Sequence, residues 1–357
     1  MRIGLKRSTT GSSNGVALII VMLMVLAMAG IVGIFAYSMK VEIKLATNTS
    51  SSGELAWVGL SGVEVAKWIL VEEQRVVGSQ QCNSLKQFWA GGPGDSEGGE
   101  DPFEGISLKH IQIDEASYVA LEIIDQERKL NINQADPLLL EAALNAAGAG
   151  SADANAIHAA LLDWRDKDDL VSVGGGAESD YYEKLDPPYR AKNGPVDDIG
   201  ELLKVRGVSS ELYWGANHQE SRKRSQFEGV ETAQNTGLAD LFCALSNGQV
   251  NINTAPLAVL QVAFRGDSTM AKQVVQVRAG PDGIEGTTDD EPARNPGEVA
   301  RLLGPAIGGG AQGRFTTISS VFEVRIEAHY GRSVRRYSAI IQRRGGRDFQ
   351  TLAFREI

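Results

Sequence analysis

VALIIVMLMVLAMAGIVGIFAY, residues 16–37, runs for 22 residues without a charge. At 1.5 Å per residue a helix of that length reaches roughly 33 Å, enough to cross a hydrocarbon core of about 30 Å. The run is too long for the h-region of a secretory signal, which spans about 7–15 residues. Residues 1–15 before it carry Arg2, Lys6 and Arg7 and no acid. Positive flanks stay on the cytoplasmic side, so the residues after Tyr37 are expected across the membrane.

The apolar run begins abruptly after Gly15. This junction resembles the start of type IV pilins and type II secretion pseudopilins. The resemblance implies cleavage by a prepilin peptidase between Gly15 and Val16, followed by N-methylation of Val16. Most members carry a glutamate at the fifth mature position, where this chain has Ile20. A carboxylate in lipid is expensive unless a charge offsets it. In the family that glutamate is thought to meet the N-terminal amine of a neighbouring subunit. A subunit with nothing above it has no such need.

Beyond the span, Lys40–Ala46 is compatible with continued helix, whereas NTSSSG at 48–53 is poor helix sequence and is the expected break or hinge. Leu55, Val58, Gly62, Val65 or Ala66, and Ile69 then recur at three- and four-residue steps, predicting a second helical half that packs one face on a head. The Gly- and acid-rich stretch 91–105 closes this stem region. Ile106–Ile113 and Tyr118–Asp125 read as strands, and Arg128–Asn131 as a continuation of their sheet. Arg314–Tyr330 and Ser333–Arg343 read as a hairpin about Gly331-Arg332, with a last strand near Phe349–Phe354. Helices at Leu138–Ala147, Ala154–Trp164 and Val196–Val205 are expected between the early and late strands of one sheet. The class is α+β.

An internal repeat organises the middle. Asn131-Ile-Asn-Gln-Ala-Asp-Pro-Leu recurs as Asn251-Ile-Asn-Thr-Ala-Pro-Leu. Each copy leads to an apolar helix, a second helix ending near Arg165 or Arg278, and a late helix, Ile199-Gly-Glu-Leu-Leu or Gly297-Glu-Val-Ala-Arg-Leu-Leu. Asn or Asp before Pro is a helix-entry signal, and three landmarks in matching order indicate duplicated helical units. The units resemble the helix-hairpin-helix (SAM-like) family, whose competence-type members bind DNA. Neither copy has that family's Gly-hydrophobic-Gly hairpin: the connections read Ala147-Gly-Ala-Gly-Ser and Phe264-Arg-Gly-Asp. Net charge is −10, and −13 without the three cations before Gly15, which also opposes a polyanionic partner. A membrane-anchored DNA-binding protein of a competence system is therefore the alternative reading, and nucleic acid is not the expected partner.

A closer resemblance is to the type II secretion minor pseudopilin K family. It is carried by Leu161-Leu-Asp-Trp-Arg-Asp, Gly175-Gly-Ala-Glu-Ser-Asp-Tyr-Tyr, Pro187-Pro-Tyr-Arg-Ala-Lys-Asn, Glu201-Leu-Leu-Lys-Val-Arg-Gly-Val and Val250-Asn-Ile-Asn-Thr-Ala-Pro. With the N-terminal segment these landmarks cover nearly the whole chain. The resemblance implies a long transmembrane and stem helix packed on a pilin-like antiparallel sheet, with a large inserted α-helical domain. The expected boundaries are a leader at 1–15, a span at 16–37, a stem at 38–77, and first strands at 78–133. An inserted domain at 134–248, a second helical unit at 249–312 and C-terminal strands at 313–357 follow. The residues around 281–292 read as an extra insertion.

No nucleophile–base–acid pattern and no paired histidine spacing occurs, so an enzyme is not expected. Asp166, Asp168, Asp169, Glu178 and Asp180 lie within 15 residues among glycines, and Asp282, Glu285, Asp289 and Asp290 have a similar texture. Oxygen-rich flexible loops suit calcium; the other reading is a solvated acidic turn. The K family is associated with calcium in its helical insertion, which favours the first cluster. Cys82 and Cys243, the only cysteines, form one disulfide in an oxidising compartment or remain two thiols. The resemblance further implies an inner-membrane, single-pass subunit at the tip of a periplasmic pseudopilus. Its expected partners are the I- and J-type minor pseudopilins, the peptidase, the inner-membrane secretion platform and, indirectly, exported protein. Stem faces between Leu55 and Ile69 are the expected partner contact.

Overall fold

The computed structural model describes residues 14–75, 82–94, 102–215, 236–295, 297–298, 313–346 and 348–357. The chain divides into two compact units, 1–57 and 58–357. Helix α1 (Asn14–Glu73) is continuous. From Val16 to Ala46 every side chain is exposed on the isolated chain, and the helix is apolar and long enough to cross a membrane. A helix apolar on all sides is of the kind that is buried in a protein core or in a membrane. The expected break at residues 48–53 does not occur: the backbone stays helical there. Once flanking segments have nucleated a helix, propagation through a few weak residues is cheap.

In the second unit, residues 58–73 of α1 lie on the sheet. Val58, Val63, Ala66, Ile69 and Leu70 are buried. Glycines set the approach. A Cβ on Gly62 would lie 2.9 Å from Ile326 Cγ2, and one on Gly59 would lie 2.7 Å from Tyr337 Cδ2. Much of the apolar stripe expected to meet a partner is therefore used inside this chain. What the stem leaves exposed in this unit includes Leu60 and Trp68.

The strands of the described residues are β1 (Ile111–Gln112), β2 (Ser117–Asp125), β3 (Leu130–Asn131), β4 (Phe242–Cys243), β5 (Val250–Asn251), β6 (Phe315–Thr316), β7 (Val321–Tyr330), β8 (Ser333–Gly345) and β9 (Asp348–Glu356). The main sheet has order β1-β2-β7-β8-β9, all antiparallel. Strand β2 pairs with β7 over its whole length, Ser117 opposite Tyr330 and Asp125 opposite Phe322, although nearly 200 residues separate them. Phe322, Val324, Ile326 and Ala328 alternate into the core, as the two-residue period of a strand requires. The β7–β8 hairpin turns at Gly331, whose φ of 57° suits glycine.

Three strand expectations are corrected. Leu130–Asn131 leaves the main sheet and pairs in parallel with β4. The long strand from Arg314 is two pieces, because β6 pairs with β5 while Ser319 turns inward to Asp125 and Asn83. Ile106–Ile113 contributes only β1 and an isolated bridge between Ser107 and His110.

Between β3 and β6 lie α2 (Pro137–Ala146), α3 (Ser151–Arg165), short helices α4 (Ser179–Tyr182), α5 (Ser210–Trp214) and α6 (Leu238–Leu241), then α7 (Leu257–Ala263) and α8 (Ser268–Arg278). Asp136 caps α2 by accepting from Leu139 N, with Pro137 in the first turn. The expected helix at 196–205 shrinks to a 3-10 turn, Ile199–Lys204. The turn ends at Val205, whose backbone is extended, and Gly207 follows with a φ of 88° and a Cβ position 2.8 Å from Ile157. The second late helix, residues 297–303, falls almost wholly outside the described residues.

Both repeats feed one hydrophobic core. Leu140, Leu144, Ile157 and Leu161 from the first copy share it with Val259, Leu260 and Val274 from the second. The copies also share their polar scaffolding. Asn133 accepts from Val196 N and donates to Val196 O; Asn253 does the same with Ala293 N and O. Arg165 donates to Ile132 O, and Arg278 to Ile252 O. The duplication is thus one of hydrogen bonds as well as letters.

A buried polar hub ties the second copy to the sheet. Asp125 Oδ2 accepts from Thr254 Oγ1 (2.6 Å), Ser319 Oγ (2.6 Å) and Asn251 Nδ2 (3.1 Å). Glu127 accepts from Ser320 Oγ (2.7 Å) and Val321 N (3.1 Å). Burial, and then the neighbouring Asp125, push the Glu127 carboxyl up to about 7. No disulfide joins Cys82 to Cys243. Both are buried, and the Cys243 thiol donates to Gln126 O and Leu130 O. Burial raises that thiol to about 12, so it is not a reactive thiolate.

Candidate metal centre

The C-terminal turn of α3 and the loop after it bring three carboxylates together. Asp163, Asp166 and Glu178 each offer an oxygen, and the three oxygens lie within 4.8 Å of one another. Two ligands on opposite sides of a calcium ion, each at roughly 2.4 Å, stand about that far apart. Asp163 is fully buried on the core side of α3, between Leu161 and Trp164. Ser172 N donates to both its oxygens, at 3.0 and 3.2 Å, folding the loop back over the helix end. Gly176 completes the closure: a Cβ there would sit 2.1 Å from Asp163 Oδ2.

Glu178 is 2% exposed, and among the described residues neither of its oxygens receives a hydrogen bond. Asp166 Oδ1 is likewise buried without a donor. Buried polar atoms are normally satisfied, and an orphaned carboxylate is among the most costly exceptions. Burial, and then the charges of Asp163 and Asp166, raise Glu178 to about 7. Asp166 is also raised, by burial and then by Asp168 and Asp163. The α3 C-terminus adds the negative end of its dipole. Hard oxygen donors, unmet hydrogen-bonding capacity and surplus negative charge fit a hard divalent cation.

Asp163 is absent from the sequence-derived cluster, while Asp168, Asp169 and Asp180 drop out of the converging set. Asp168 Oδ1 caps Leu170 N, Asp169 Oδ1 accepts from Asn193 Nδ2, and Asp180 is exposed in the first turn of α4. An acid on the apolar side of a helix, between Leu161 and Trp164, is the signal that identifies Asp163.

The second acidic loop is not gathered this way. Asp282 Oδ1 accepts from Ile284 N (2.7 Å), and Asp289 Oδ2 from Asp282 N (3.0 Å). Asp290 accepts from Gly286 N (2.7 Å), and Glu285 pairs with Arg278. Among the described residues, Asp163, Asp166 and Glu178 are the group whose oxygens converge.

Residues 119–216, which contain all three, match the family described as type II secretion system protein K. That stretch is similar to the family. Named relatives show the same likeness. The type II secretion system protein K of Aeromonas hydrophila is 27% identical over 207 residues, covering 56% of this chain and 60% of that protein. The protein of the same name from Pectobacterium carotovorum subsp. carotovorum is 35% identical over 134 residues, covering 35% of this chain and 33% of that protein. The matches thus span between a third and three-fifths of these relatives. A chain in the crystal structure of the GspK–GspI–GspJ complex of the enterotoxigenic Escherichia coli type 2 secretion system has a similar fold. Its TM-score is 0.63 at 18% identity, covering 87% of this chain and 99% of that one.

Proposed function

We propose that this protein is a minor pseudopilin at the tip of a type II secretion pseudopilus, where it starts or caps assembly and supports export of folded proteins. The observation that carries the reading is the likeness of residues 119–216 to the K family, joined to an exposed apolar helix beginning at Val16. The similar fold was solved in a complex named for GspI and GspJ, which supports I- and J-type minor pseudopilins as partners. In this reading a prepilin peptidase cuts after Gly15 and Val16 is methylated. The helix anchors the chain in the inner membrane, with the rest in the periplasm and within reach of the secretion platform. Ile20 supports the tip position, because it offers no charge to a subunit above it. The role is structural and not enzymatic. Intact mass of the membrane-extracted protein tests the route. A chain starting at a methylated Val16 is expected, and an intact Met1 would overturn it.

Asp163, Asp166 and Glu178 would hold calcium, which supplies the positive charge the three carboxylates lack. The ion fixes the loop over the end of α3 and so the outer surface of the helical core. Chelation is expected to lower the melting temperature of the detergent-solubilised full chain. A melting curve indifferent to chelator and to added calcium would remove the ion from the proposal.

A further inference from the structure

The segment at 281–292, an apparent insertion in the sequence, occupies the same place in the second copy as the carboxylate loop does in the first. The first loop runs from Arg165 towards Val196, which closes on Asn133. The second runs from Arg278 to Ala293, which closes on Asn253. Both loops are acidic, but their charges are met differently.

In the second copy Arg278 is 5% exposed and reaches three partners: Ile252 O (2.6 Å), Ala255 O (2.7 Å) and the carboxylate of Glu285. Thr287 Oγ1 donates to Asp289 (2.7 Å), and Gly286 N donates to Asp290 (2.7 Å). Gly280 allows the loop to shut, since a Cβ there would sit 2.2 Å from Asp289 O. Every acid from Asp282 to Asp290 thus has a donor within the protein. In the first copy Arg206 lies against the loop beside Glu178. Its guanidinium donates to Gly176 O (3.1 Å) and stacks on Tyr181, leaving the Glu178 oxygens unmet.

We infer that Arg278 is a built-in counter-ion, doing for the second acidic loop what a divalent cation does for the first, so that cation dependence is confined to one copy of the repeat. The contrast rests on the cation reading of the first loop; the role of Arg278 does not. A buried guanidinium bound to two carbonyls and one carboxylate is geometrically fixed, whereas a bound ion can leave. One copy is then a permanent latch and the other a responsive one.

Amide hydrogen exchange on the full chain in detergent, with calcium chloride or with EGTA, separates the two. Calcium is expected to slow exchange across residues 166–178 and to leave 281–290 unchanged. Glu285→Gln, which removes the charge and keeps an oxygen acceptor, is expected to speed exchange of 281–290 about fivefold with or without calcium. Calcium-induced slowing at 281–290 in the unaltered protein, or no effect of Glu285→Gln, would overturn the role of Arg278. If 166–178 ignores calcium while Glu285→Gln acts as expected, the metal reading of the first copy fails and the counter-ion stands.

Discussion

Asp163 shows how a site can be present in a sequence and still be misread. Among Leu161, Leu162 and Trp164 it looks like an ordinary helix residue, yet burial turns it into the anchor of the carboxylate group. Its chemistry makes a two-sided prediction. Asp163→Asn keeps an acceptor for Ser172 N and removes one of three crowded charges. The variant is expected to melt higher than the unaltered chain in EGTA and to bind calcium about a hundredfold more weakly, because charge count sets the affinity of oxygen sites. Melting in chelator combined with calcium titration checks both signs. Gly176→Ala has a different cause, since its Cβ would displace the Asp163 carboxylate. It is expected to weaken calcium binding without raising the melting temperature in EGTA.

At the scale of elements, Gly59 and Gly62 let α1 lie close on β2, β7 and β8. Gly62→Val would drive methyl groups into Ile326 and Leu121, and overpacking of this kind costs about 1–3 kcal/mol. A lower denaturation midpoint for Gly62→Val, with no such change for Gly53→Ala, is the expected result; a Cβ on Gly53 meets nothing within 4 Å. The elements themselves were largely legible. Strong periodicity and entry signals marked α2, α3, β7, β8 and their hairpin. The failures came where local propensity lost to context. Residues 48–53 stay helical because both neighbouring segments are. Leu130–Asn131 and Phe315–Thr316 pair with short strands that no periodicity announces, since two residues cannot display a period. At 199–204 Asp198 and Glu201 cap the start of the turn, but the backbone is already extended at Val205, so only a short 3-10 turn forms.

The whole second unit depends on a joint that is polar. Asp125 on β2 holds Asn251 and Thr254 of the second repeat together with Ser319 at the entry to β7. Asp125→Ala strands three donors in a dry interior and is expected to destabilise the fold by about 3 kcal/mol or more, read from chemical denaturation. Glu127 beside it introduces a pH dependence. Its carboxyl is raised from 4.5 to about 7, so the folded state holds the proton more tightly than the unfolded chain. That contribution is fully present below about pH 4.5 and is lost as pH rises through about 7. It amounts to roughly 3 kcal/mol at most. Arg128 and Arg343 face the Asp125–Glu127 pair and limit the loss. Glu127→Gln is expected to flatten the decline of stability between pH 5 and 8 relative to the unaltered chain; parallel curves would deny Glu127 that role.

The sequence by itself determined the apolar helix, the α+β class, the hairpin and the duplication, because each rests on local periodicity or on letters that repeat. Composition put both acidic loops forward alike, and the family resemblance favoured the first. Only the tertiary structure decided which carboxylates converge, that Cys82 and Cys243 stay apart, and that the stem's stripe is used within the chain. Those outcomes depend on distances between residues far apart in sequence, and on whether a buried oxygen finds a donor. The same distinction separates the two acidic loops. Their residue types are alike, but Arg278 lies against one, and among the described residues no cationic side chain satisfies Glu178 in the other.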